Sequence, residues 1–176
     1  MKKIISIMLV ILMIGAITGC GETADKPSNE NLKEPVSEIV NKVVKENPVE
    51  FQGATKKLDL KDTSEEGKWL IQSTLGMDDV SKIKEAAAFE PEIGSLAFSL
   101  VMVRVKDSAD TKAVAEEMKK NIDPRKWICV EANDIKAAGY GDVIMFIMLD
   151  DGLDLKAQDF VDGFKKVCGA DPDFTI

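Results

Sequence analysis

The stretch LAFSLVMVRVK, Leu96–Lys106, decides the fold. Read with the two-residue period of a strand, both alternating sets are apolar until Arg104, so it belongs in the interior of a sheet rather than at its edge. Downstream, Ser108 or Asp110 is placed to cap a helix carrying Val114, Met118 and Ile122, with Lys119 and Lys120 in its last turn complementing the dipole. Pro124 separates that helix from a strand expected at Trp127–Ala132. Gly139-Tyr140-Gly141-Asp142 leads into the most apolar strand, VIMFIML, 143–149. After Asp151-Gly152 a last helix presents Ala157, Phe160, Val161, Phe164, Val167 and Cys168 at helical spacing, with Gly169 where a left-handed terminator belongs.

Upstream, Pro91 and Gly94 mark a turn preceded by a strand over residues 81–90, a segment that also carries helical spacing through Val80, Ile83 and Ala87. Thr63-Ser64-Glu65-Glu66 fits a capping box ahead of Trp69, Leu70 and Ile71, and Gly76 closes that helix after Leu75. Before it, Val36, Ile39, Val40 and Val43 share one face of a helix that starts after Pro35 and ends at Asn47-Pro48. The element order α-α-β-β-α-β-β-α predicts a single α+β domain, residues 35–176, with a four-stranded, mainly antiparallel sheet and helices packed on one face.

The amino terminus has a different character. Lys2 and Lys3 precede an apolar run, Ile4–Ile17, interrupted only by Ser6, Gly15 and methionines. Its 14 residues are short of the roughly 20 that span a bilayer, and no basic flank follows. Ile17, Thr18, Gly19 and Cys20 resemble the lipobox of bacterial lipoproteins. That resemblance implies a signal peptide at 1–19, cleavage before Cys20, a diacylglycerol on its thiol, and anchorage at the extracytoplasmic face of the cell membrane. Two acyl chains square the partition constant of about 10⁴ M⁻¹ that one chain supplies, enough for stable attachment. Residues 20–34 then read as the lipidated cysteine and a flexible polar tether.

Loss of residues 1–19 leaves 157 of the 176 residues and removes Lys2 and Lys3, taking the formal charge from −8 to −10. An acidic chain lacks the basic footprint needed for nucleic acid or an anionic bilayer surface, and favours basic partners. The domain is too small for two lobes and a hinge, which disfavours a two-lobed transport receptor. VSEIVNKVVKE (36–46), Leu75-Gly76-Met77-Asp78-Asp79, Val103-Arg104-Val105-Lys106-Asp107 and the glycine turn at Tyr140-Gly141 resemble small uncharacterised lipoproteins of Gram-positive bacteria, a domain-of-unknown-function family. The likeness covers most of residues 35–150 and implies fold and location only, with no activity, cofactor or catalytic residue.

The chain has no histidine, so histidine-based triads and histidine metal sites are excluded within it. It has no phosphate-cradling glycine loop. In Asp150-Asp151-Gly152-Leu153-Asp154, setting Gly152 at calcium-loop position 6 puts Ile147 and Leu149 where oxygen donors belong; the segment is expected to be a strand-to-helix turn with Asp154 as N-cap. No metal or cofactor site is expected. Cys129 and Cys168 are expected as separate thiols, a disulfide between them being the alternative that export allows. Trp69, Trp127 and Tyr140 are expected in the core or in turns, with a ligand surface as the alternative. Two functions fit: a non-enzymatic surface module binding a protein, peptide or small ligand, which the anchor and the missing catalytic set favour, or a carboxylate-dependent envelope hydrolase drawing on Glu85, Glu90 and Glu131.

Overall fold

A computed structural model describes residues 32–176. The lipobox Ile17–Cys20 and the rest of the signal and tether lie outside the described residues, apart from Leu32–Glu34. The elements are α1 (Val36–Glu46), β1 (Gly53–Lys57), α2 (Glu65–Leu75), β2 (Ile83–Pro91), β3 (Phe98–Val105), α3 (Thr111–Asn121), β4 (Asp134–Tyr140), β5 (Val143–Leu149), α4 (Ala157–Cys168) and β6 (Phe174–Thr175). They form one antiparallel sheet in the order β1-β2-β3-β5-β4-β6. The α+β single domain holds; the sheet has six strands, not four. β1 (GATKK) and β6 (FT) are edge strands without an apolar alternation to announce them.

The helices are not confined to one face. β3 and β5 are buried at every position, so each side of the sheet needs a cover. Phe98, Leu100, Met102, Met145 and Ile147 pack under α1 and α4, while Val101, Val103, Ile144, Phe146 and Met148 pack under α2 and α3. The first layer is bound by an aromatic ladder in which Phe51 meets Phe98 at 5.1 Å and Phe98 meets Phe160 at 5.3 Å between ring centroids, both edge-on.

The strand expected at Trp127–Ala132 is instead a loop, and β4 begins at Asp134. The tight turn at Gly141-Asp142, with Gly141 at φ 60°, pairs Tyr140 with Val143 and counts the partner of β5 back only as far as Asp134. Trp127–Ala132 is left beyond the ladder, with Cys129 at φ 63°.

Helix termini differ in detail from the motif readings. Ser64, not Thr63, caps α2, its Oγ accepting from Gly67 N at 3.0 Å. Asp107 accepts from Ala109 N to open a 3₁₀ turn that runs into α3; Asp110 makes no cap bond and pairs with Lys82. Asp154 is not an N-cap: it closes the 3₁₀ turn Asp151–Leu153 at φ 59°, and the first N–H of α4, on Ala157, donates to Asp134 Oδ2 at 2.8 Å. Gly76 and Gly169 end α2 and α4 in the left-handed conformation, as their positions predict.

Arg104, the charge that interrupts β3, is buried with all three of its nitrogens engaged. Nε donates to Glu85 Oε1 at 2.7 Å, Nη1 to Asp142 Oδ1 at 2.9 Å, and Nη2 to the carbonyl oxygens of Leu32 at 2.7 Å and Glu34 at 2.8 Å. Burial opposes its charge, but the hydrogen bonds it donates to Glu85 and Asp142 outweigh that and raise the guanidinium's pKa. Leu32, 1% exposed, joins the α1/α4 core. Leu32–Glu34 therefore belong to the packed domain rather than to the tether.

Candidate functional site

β3 spans about 23 Å from Phe98 to Val105. The chain enters at the Val105 end, where Arg104 holds residues 32–34. The opposite end, where Pro91, Phe98, Asp134 and Leu149 lie, carries the loops of residues 91–97 and 122–133. On the α2/α3 side of that end, a cleft of about 200 Å³ has Trp69, Leu70, Ile93 and Trp127 among its walls and Glu90 and Lys126 among its polar lining.

Four large apolar side chains among the described residues are exposed: Trp69 at 64%, Leu70 at 42%, Ile93 at 57% and Ile128 at 73%. Three of them line this cleft. The fourth, Ile128, sits at its margin, its backbone N–H donating to Gly94 O at 3.0 Å. Scattered apolar residues on a surface need no explanation; here three line one concavity and the fourth borders it, so they form one contiguous exposed apolar patch. α2 produces it by burying only Gly67, Ile71, Thr74 and Leu75, which turns Trp69 and Leu70 toward the 91–97 loop.

The floor is polar and internally satisfied. Lys126, its side chain 9% exposed, reaches Glu90 Oε1 at 2.5 Å and Ser99 Oγ at 3.3 Å, and Ser99 donates to the same carboxylate oxygen at 2.7 Å. The Lys126 ammonium also lies 5.2 Å from the ring centroid of Trp127. A Ser–Lys pair invites comparison with a nucleophile and its base. Here Ser99 is fully buried and spends its proton on Glu90, and the lysine is committed to the same carboxylate, so the trio fixes the loop of residues 122–133 against β2 and β3.

The carboxylates considered for acid–base chemistry do not converge. Glu85 lies on the α1/α4 side of β2 with Arg104, Glu90 lies on the other side with Lys126, and Glu131 pairs with Arg125 in the loop. Among the described residues no three Asp, Glu or Cys groups form a metal-ligating set. In the Asp150–Asp154 segment, Asp150 accepts from Gly152 N and Asp151 from the Asn133 side chain.

Tyr140 is core, as expected, and burial raises its pKa. Trp69 departs from the expectation of a core residue, and Trp127 is half-buried at the cleft wall. Cys129 is exposed beside Ile128, and Cys168, the last residue of α4, is buried against the sheet, its thiol pushed up to about 12 by burial. The cleft had one sequence signal: Trp69-Leu70-Ile71 puts three large apolar residues side by side on a helix, more than one buried stripe accommodates. No helix among the described residues is long and apolar enough to cross a membrane. Comparisons of the chain with protein-family models, with curated proteins and with solved structures returned no match.

Proposed function

We propose that this chain is a bacterial lipoprotein, held at the extracytoplasmic face of the cell membrane through Cys20, and that it acts as a non-enzymatic binding module. The observation that carries the binding role is the convergence of Trp69, Leu70, Ile93 and Ile128 on one cleft. Its occupant is an uncharged apolar segment of another extracytoplasmic protein. The floor supports that choice, because Lys126 and Glu90 neutralise each other and leave no charge to be matched. Exposed tryptophan is the residue type most enriched among binding hot spots. The cleft lies at the end of the sheet opposite the entry of the chain, where a lipid attached ahead of Leu32 would not cover it.

Photo-crosslinkers placed at Trp69 and at Ile128 on intact cells test this, with Lys45 on α1 as the control position. The expected result is one adduct shared by the first two sites, absent at Lys45 and lost when Ile93→Asp is added. Equal adducts at all three sites, or none at any, overturns the binding role. Failure of the chain to incorporate labelled palmitate, with Cys20→Ala as the unlabelled control, overturns the anchor separately.

A further inference from the structure

A second cleft lies at the same end of the sheet but on the α1/α4 side. Its volume is about 510 Å³, within the ~300–1,000 Å³ range of ligand pockets. Phe51 comes from the loop between α1 and β1, Leu96 from the approach to β3, and Leu153 and Leu155 from the turn ahead of α4. The floor is rigid, since Phe51 stands edge-on to Phe98, which in turn stands edge-on to the fully buried Phe160. Two carboxylates, Glu50 and Asp154, complete the lining, and no cation shares it.

The contrast with the Trp69 cleft is one of charge. There Glu90 is answered by Lys126; here Glu50 and Asp154 are both exposed and make no side-chain hydrogen bond or ion pair with any described residue. Lys156, two residues beyond Asp154, is not on the wall. A concave apolar surface rimmed by unmatched carboxylates, on a chain of formal charge −8, is complementary to a cation carried on an apolar body.

We infer that this cleft receives a basic peptide segment, with an arginine or lysine side chain between Glu50 and Asp154 and its apolar neighbours against Phe51, Leu96, Leu153 and Leu155. The site is separate from the Trp69 cleft and stands or falls without it.

The probe is the blocked tetrapeptide acetyl-Leu-Arg-Leu-Phe-amide, followed by backbone amide NMR shifts and compared with the same peptide carrying citrulline or glutamate in place of arginine. The arginine peptide is expected to move the amides of Glu50, Phe51, Leu96, Asp154 and Leu155 saturably. Citrulline, which keeps the shape and loses the charge, is expected to weaken binding about tenfold, the worth of two solvent-facing ion pairs. Glu50→Gln with Asp154→Asn should produce the same loss for the arginine peptide and none for citrulline. Both substitutions keep the fold, because Glu50 is exposed and asparagine tolerates the φ of 59° at position 154. Equal affinity for all three peptides, absence of saturable binding by the arginine peptide, or shifts centred on Trp69, Ile93 and Ile128 overturns the assignment.

Discussion

On the α1/α4 side of the sheet, helices with four and six buried residues pack against one another over phenylalanines and long aliphatics. On the α2/α3 side, β2 and β4 offer Ala86, Ala88 and Ala137, and α2 brings only Ile71 and Leu75 as large buried residues. No large apolar residue of α1 or α4 is exposed, whereas α2 leaves Trp69 and Leu70 outside. Where β2 and β4 offer alanine, α2 needs few large buried residues, and its remaining ones stay exposed. The phenylalanine ladder lies on one side of the sheet and the exposed tryptophan and leucine of α2 on the other.

The sharpest way to break that contrast is truncation of a ring in the aromatic ladder. Phe160→Ala is expected to cost about 3–5 kcal/mol, against roughly 2 kcal/mol for Ile71→Ala on α2. Urea unfolding of the two variants measures both, and equal losses would dissolve the distinction.

A smaller effect tests how dry the α1/α4 layer is. Burial raises the Cys168 thiol from 9.0 to about 12. The folded chain therefore keeps a proton that the unfolded chain releases above pH ~9, so the stability from this group is full below that pH and falls as pH climbs toward 12, by up to about 1.4 kcal/mol per unit. The drop in urea midpoint between about pH 8 and about pH 10 should shrink in Cys168→Ala. An unchanged drop would place water beside the thiol.

The smallest expected effect is the most telling for the open side. Trp69→Ser should shift the unfolding free energy by no more than about 0.5 kcal/mol, as for a surface residue. A loss of several kcal/mol in the same urea measurement would mean that Trp69 holds the fold together instead of facing a partner.

Elements with strong periodicity were legible in the amino-acid order: α1 from its valine face, β5 from its unbroken apolar run and β3 from a run broken only by Ser99 and Arg104, α2 and α4 with their glycine stops. β3 already contained the correction to the single-faced arrangement, since a strand apolar on both sides requires two covers. Trp127–Ala132 misled because Ile128 and Val130 alternate like strand residues, whereas the true pairing partner of β5 is fixed by the turn at Gly141-Asp142 and has the weaker pattern DIKAAGY. β1 pairs through its backbone and needs no apolar residue, which leaves no mark in composition. The candidate site was half visible. Trp69 and Glu90 could be picked out singly, but their meeting with Ile93, Lys126 and Ile128 depends on where two separate loops come together.

The clasp on Leu32 and Glu34 has a mechanical side. A pull along the chain from ahead of Leu32 passes first into the Arg104 guanidinium, and through it into β3, which is hydrogen-bonded on both edges. Load reaches the middle of the sheet before α1 can be peeled away, and β3 must slide against β2 and β5 together to yield. Arg104 thus ties the entry of the chain to a central strand, at the end of the sheet away from both clefts.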